Sequence, residues 1–467
     1  MTPPTSLARR AFLRRVGQLG AAGVATPWAL NLATMGEAAA ADASDYKALV
    51  CIFLYGGNDH GNTLVPYEAT GHAQYAAARL TLATPRENLA ATALTGGGLP
   101  PGRQYALAPQ LAPLKPLFDA RKLALQLNVG PLIQPTTLDQ FHARSVPLPP
   151  KLFSHNDQQS VWQSSGAEGA VHGWGGSLGD LALAGNGQSL FTCISVTGNA
   201  VFLAGAQAMA YQIGAAGPVP ISAATDPNGL YGTSTACRDA LQLLITQSRT
   251  HVLESDLNAV TTRAIAAQGS LGRALTGGPD FSAQLPDVVG AKARSLNRQL
   301  KMVARLIAAR AALGLKRQVF MVSLNGFDTH DGLLTRHPAL LTQLGAAMAG
   351  FQNAIDAIGM GPNVTTFTAS DFGRTLSSNG DGSDHGWGGH HVVMGGAVKG
   401  GTFYGQAPAP GLDGPEDVGQ GRLLPSTSVD QYAATLARWF GVPEVQLPWV
   451  SPYLGNFSAE TRNLGFL

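Results

Sequence analysis

Residues 48–62 read ALVCIFLYGGNDHGN: eight apolar residues, then a glycine-rich turn carrying Asp59 and His60. An apolar run this short, unbroken rather than alternating, marks a strand covered on both faces. Five further runs share that character: Leu123 to Val129, Phe191 to Val196, Gln318 to Leu324, Val364 to Ala369 and His391 to Met394. Helical stretches separate them. Ser295 to Leu313 sets Leu296, Leu300, Val303, Leu306 and Ile307 on one stripe, and Asp430 to Phe440 forms another helix, ended by Gly441 as a cap. The alternation predicts an α/β fold, a doubly wound, mostly parallel sheet with helices on both faces. Glycine- and proline-rich stretches at 94–103, 213–233 and 405–424 read as loops. Residues 236–275 read as helical, so one domain is expected over 42–467 with a helical cap or insertion within 205–295.

Polar residues follow the apolar runs. Asp59 comes after the first, Asp328 and His330 after Gln318–Leu324, and Asp371 and Arg374 after Val364–Ala369. Residues 380–391, GDGSDHGWGGHH, then add Asp384, His385, His390 and His391. In a parallel sheet the carboxyl ends of the strands open onto one edge, where ligands bind. Segments nearly 300 residues apart are therefore expected to deliver these groups to one crevice. Carboxylates crowded together disfavour one another's charge, and a cation relieves that. Mixed carboxylate and imidazole donors suit zinc or manganese, with magnesium or calcium if carboxylates dominate. A purely structural calcium site fits NGDGSD (379–384) but not the histidines. The pentapeptide HGWGG occurs at 172–176 and at 385–389; Trp174 and Trp387 read as packing residues.

The chain has 467 residues, 31 Lys+Arg and 29 Asp+Glu. Arg9, Arg10, Arg14 and Arg15 sit in the first 41 residues with a single acid, Glu37, so the remainder carries a net charge of −1. That excludes a broadly basic nucleic-acid-binding surface. Residues 7–15, LARRAFLRR, precede a weakly apolar stretch and GEAAAADAS, which together make a secretory signal cleaved near Ala41. The Arg9–Arg10 pair resembles the twin-arginine type, although Ala8 and Arg14 depart from the usual pattern. Periplasmic or secreted localisation through the twin-arginine machinery is expected, with no transmembrane segment once the signal is removed. The cysteines, Cys51, Cys193 and Cys237, form no CxxC motif, and the first two read as buried thiols.

Taken together, FLYGGNDHGNTLVPY (53–67), LFSHNDQQSVWQ (152–163), SLNGFDTHDG (323–332), SDFGRTLSSNGDGSDHGWGGHHVVMGGAVKGG (370–401) and SVDQYAATLARWFGV (428–442) resemble the DUF1501 proteins, twin-arginine-exported bacterial proteins of the alkaline phosphatase-like and sulfatase-like superfamily. That resemblance implies an alkaline phosphatase-like sheet with loop and helical insertions, and two divalent ions at its carboxyl edge. It also implies hydrolysis of a phosphate or sulfate ester, the substrate being a small molecule or a polymer. By the same resemblance Asp59, Asp328, His330 and Asp371 match metal ligands, and Asp384, His385 and His390 or His391 stand where an imidazole is missing, because Phe372 follows Asp371. The candidate nucleophiles are Ser154 at a helix start, Thr63, or a metal-activated hydroxide. Ser154 with Asp157 also reads as an N-cap pattern, and His155 and Asp157 as residues lining the cleft. Arg374 suits an oxyanion clamp or a carboxylate partner. A non-catalytic cell-envelope binding or assembly protein that keeps the fold and part of the metal site is the alternative reading.

Overall fold

A computed structural model describes residues 46–225, 234–287 and 295–467. The signal read at 1–41 lies outside the described residues. The strands are β1 Lys47–Tyr55, β2 Leu64–Pro66, β3 Tyr105–Leu107, β4 Leu123–Gly130, β5 Cys193–Ser195, β6 Tyr211–Gln212, β7 Arg317–Asn325, β8 Val364–Ser370, β9 Gly389–Gly395, β10 Phe403–Tyr404 and β11 Thr427–Ser428. All but β2 and β3, which form their own antiparallel pair, make one sheet in the order β10-β4-β9-β8-β1-β7-β5-β6, with β11 also on β4. Every pairing in that sheet is parallel except those of β9, which runs against both β4 and β8. The sheet is thus mixed and mostly parallel.

The unbroken apolarity of β1 has its explanation in the two cores. Ala48, Val50, Ile52 and Leu54 face one apolar cluster, while Leu49, Cys51 and Phe53 face a second. Alternate residues of a strand point to opposite faces, so a strand covered on both sides has no polar positions. The main helices are α1 Ala69–Arg79, α2 His155–Ser164, α3 Trp174–Ala182, α4 Thr235–Thr246, α5 Val252–Leu275, α6 Leu296–Ala308, α7 Leu333–Ala357 and α8 Val429–Phe440. Helices α6 and α7 give Leu300, Val303, Leu344 and Phe351 to the first cluster; α3 and α8 give Leu178, Tyr432 and Leu436 to the second. Helix α8 starts at a capping box on Ser428 and stops at Gly441, whose φ is 111°. The stripe read to Leu313 stops being helical after Ala308, in turns that lead to Gly314 at φ 62°. Residues 205–295 include α4 and α5, the expected helical excursion.

Cys51 and Cys193 are buried free thiols, and Cys237 is exposed. Trp174 and Trp387 are packed inside, donating their indole N–H to the carbonyls of Trp162 (3.0 Å) and Pro131 (2.8 Å). Among the described residues no helix is long and apolar enough to cross a membrane.

The register aligns the carboxyl ends of three neighbouring strands. Leu54 of β1 sits beside Leu324 of β7 on one side and Ser370 of β8 on the other. The turns after them therefore start at one level. Gly56, at φ 113°, lies so close to the β7 turn that a Cβ there would meet the Asp328 amide nitrogen at 2.3 Å. Only glycine allows that approach.

Candidate metal centre

At this edge four side chains converge. Asp328, on the turn after β7, directs Oδ1 toward the Nε2 atoms of His330 (3.2 Å), His385 (3.4 Å) and His155 (3.6 Å). The Nε2 atoms of His330 and His385 are 2.8 Å apart. His155, Asp328 and His385 each offer a donor atom within 4.8 Å of the others. Asp328 and the three histidines are all at least partly open to solvent.

The far side of each ring explains its aim. His155 Nδ1 lies 2.6 Å from Asp371 Oδ2, His330 Nδ1 lies 3.0 Å from Asp384 Oδ1, and His385 Nδ1 lies 2.7 Å from the Phe153 carbonyl. Carboxylate and carbonyl oxygens only accept, so each Nδ1 carries a proton and Nε2 is the nitrogen each ring turns inward. Two imidazole nitrogens at 2.8 Å, with a carboxylate oxygen beside them, stay that close only with a proton or a metal cation between them. Two nitrogens bound to one tetrahedral zinc stand about 3.3 Å apart, close to what the rings already adopt. Nδ1–H bonded to an oxygen, with Nε2 turned inward, is also how metal-ligating histidines are normally held.

Behind the donors lies a buried layer. Asp371 is fully buried; its Oδ2 also accepts from Gln159 Nε2 (2.8 Å) and the Gly56 amide (3.1 Å), while Oδ1 has no partner. Arg374 is fully buried too. Its Nη1 donates to Asp328 Oδ1 at 2.8 Å, and Nη2 and Nε are directed at Ser383. Phe372 packs against the rings of His155 (4.9 Å) and His385 (4.6 Å), which also meet each other at 4.3 Å. Burial alone raises the Asp328 carboxyl, but the Arg374 hydrogen bond and charge and the flanking histidines outweigh it and lower it. His155 is raised by its bond to Asp371, whereas burial lowers His385.

Of the residues marked in the sequence, Asp328, His330 and His385 meet here as donors, and Asp371 and Asp384 stand behind them as hydrogen-bond partners. Asp59 does not join them. It is buried in a salt bridge with Arg79, a fully buried arginine, and its Oδ1 accepts from the Asn62 amide at 3.1 Å. Burial raises its carboxyl, and the charges of Arg79, His337 and His60 together hold it down at about 2. His390 and His391 are consecutive on β9 and so fall on opposite faces of the sheet. His390 accepts the Asn128 N–H at 3.1 Å beside His60; His391 sits against Trp162 and Tyr432. Thr63 Oγ1 is buried and donates to the Asp59 carbonyl at 2.6 Å. Ser154 holds the N-cap position of α2 without capping it, and donates its hydroxyl to Asp157 Oδ2 at 2.9 Å. Arg374, with no exposed surface, acts as the carboxylate partner rather than as a clamp on a bound oxyanion. His155, read as a cleft-lining residue, belongs to the donor set. Nothing local in SHND distinguishes it from a capping sequence, because its partner Asp371 is 216 residues away.

A family model described as "Protein of unknown function (DUF1501)" matches residues 46–444. The chain belongs to the DUF1501 family. The matched span contains the whole first core, most of the second and all four side chains of the donor cluster. No curated protein matches the chain.

Proposed function

We propose that the protein is an exported metal-dependent hydrolase of phosphate or sulfate esters, built on an alkaline phosphatase-like scaffold. The observation that carries this reading is the 2.8 Å approach of the His330 and His385 Nε2 atoms against Asp328 Oδ1, each ring held by an oxygen at its Nδ1. His155, Asp328 and His385 would hold one divalent ion, with His330 beside them; a set of imidazoles with one carboxylate favours zinc or manganese over magnesium or calcium. Such an ion supplies Lewis-acid polarisation of an ester oxygen and lowers the pKa of water. Around it Asp371, Asp384 and the Phe153 carbonyl orient the rings, Arg374 fixes the Asp328 carboxylate, and Phe372 packs against both His155 and His385. Two ions are less well supported than one, because Asp59, the donor expected for the second, is neutralised by Arg79.

The hydroxyls of Ser154 and Thr63 are engaged by Asp157 and the Asp59 carbonyl, which favours water over a side-chain nucleophile. One observation favours the non-catalytic envelope-protein reading: if His330 is a fourth ligand, the ion has four protein donors, as structural zinc sites do. Metal analysis of the purified protein, with a screen of phosphate and sulfate esters, tests both. About one ion per chain with ester turnover that disappears in Asp328→Ala and His385→Ala supports the hydrolase. A bound ion without turnover supports the envelope protein, and a folded chain that takes up no ion ends the metal reading.

Export rests on the Arg9–Arg10 signal and would deliver the chain to the periplasm or the medium. Arg9→Lys with Arg10→Lys is expected to retain the protein in the cytoplasm in a fractionation experiment; normal export of that variant contradicts it.

A further inference from the structure

Helices α4 and α5, joined by residues 247–251, form a hairpin that turns its apolar stripe outward. Helix α4 has no buried residue at all. The C-terminal half of α5 seats Ala267, Leu271 and Leu275 in the first core. On its N-terminal half, Leu253, Leu257 and Val260 fall at i, i+4 and i+7. Together with Val252 and with Leu243 and Leu244 of α4, they are 52–72% exposed. The inward side of this half is the more polar one: Asn258 is buried there, donating to the Gln247 carbonyl at 2.6 Å. This inverts the usual arrangement of an amphipathic helix. A helix of 12 residues is marginal in water without tertiary packing, so α4 requires a cover for this face.

We propose that the cover is the same face of a second copy of the chain, two hairpins closing a four-helix bundle about a two-fold axis. The six apolar side chains present on the order of 400 Å² of apolar surface. With a polar rim of similar area this reaches the roughly 800 Å² per partner of a stable interface. The charges are compatible with self-association: over 234–275, Arg238, Arg249, Arg263 and Arg273 stand against Asp239, Glu254 and Asp256, a net charge of +1. Neither copy repels the other, and the basic excess that draws a helix onto an anionic membrane is missing. A two-fold rotation brings the same patch of both copies together, so each apolar stripe covers the other.

Light scattering on the full chain across a wide range of concentrations tests this. The wild type is expected to have the mass of two chains. Leu253→Glu with Leu257→Glu is expected to have the mass of one, with unchanged metal content, since neither side chain packs in the core. Leu243→Glu with Leu244→Glu tests the other helix separately, and either pair alone decides if the other aggregates. Val445→Glu, at an exposed apolar residue elsewhere, is expected to leave the dimer intact. A wild type of single-chain mass at every concentration overturns the proposal and leaves the stripe to another segment of the chain. A dimer that survives both paired substitutions overturns the assignment to this face.

Discussion

Asp59 and Asp328 look alike in the sequence, each on a glycine-containing turn after an apolar strand, yet their surroundings assign them opposite tasks. Asp328 is half exposed and meets three imidazoles; Asp59 is sealed against Arg79. Removing one partner of a buried ion pair leaves an uncompensated charge, so Asp59→Ala is expected to lose about 3–5 kcal/mol of stability in chemical denaturation. Asp328→Ala is expected to cost far less stability and to abolish metal retention. Equal metal loss in folded preparations of both variants would instead make Asp59 a ligand. Asp371→Asn keeps the shape but weakens the hold on the His155 N–H, and is expected to lower metal affinity roughly 10- to 100-fold in a competition titration. An affinity unchanged in that variant removes His155 from the donor set.

Elements differ in how much of their stability is local. Helix α8 carries its own start and stop signals: Ser428 accepts from the Asp430 amide at 3.0 Å while Gln431 reaches back to the Ser428 N–H at 2.8 Å. Ser428→Ala is expected to cost about 1 kcal/mol in equilibrium unfolding, and no change would mean that packing alone holds the helix. Helix α2 has a similar-looking start at Ser154, but that hydroxyl turns to Asp157 instead of a backbone N–H. The task of α2 is to present His155 from its first turn and Gln159 from its second to Asp371. Helix α7 has little local signal at its start, where Gly332 is left-handed at φ 56° and Pro338 interrupts the stripe. Its helical state rests on Leu341, Leu344, Met348 and Phe351 packing into the first core.

Across the whole molecule, buried imidazoles govern the response to acid. Burial pushes His60 and His337 down to about 4 and His391 to about 3, and His390 well below its usual value. Unfolded, these rings take up protons near pH 6.5; folded, they do not, so the unfolded state binds more protons between those limits and stability is lost as the pH is lowered. Four such groups give a slope of up to about 5 kcal/mol per pH unit. Asp430, raised by burial to about 6, works in the opposite sense over part of the window and offsets about one of them. Asp59 adds to the loss below its unfolded value of 3.8, down to about 2. The thermal midpoint is therefore expected to fall steeply from pH 6.5 to pH 4, in calorimetry at constant salt. A midpoint flat over that range would mean that these rings are hydrated and not buried.

The sheet was legible because a strand buried on both faces leaves an unbroken apolar run, and six such runs coincide with β1, β4, β5, β7, β8 and β9. The reversal of β9 was not, since an apolar run has no direction. The placement of Asp328, His330 and His385 at one edge was legible as well, because polar residues at the ends of neighbouring parallel strands share a crevice. What the sequence by itself determined was the local composition of each element: which runs are strands, where α8 begins and ends, and which turns carry carboxylates and imidazoles. Only the tertiary structure decided which of those groups face one another. It buried Asp59 on Arg79, split His390 and His391 across the sheet, and drew His155 to Asp371 and Asp328. Pairings of this kind depend on strand register and on charges brought from distant parts of the chain, and no local pattern encodes either.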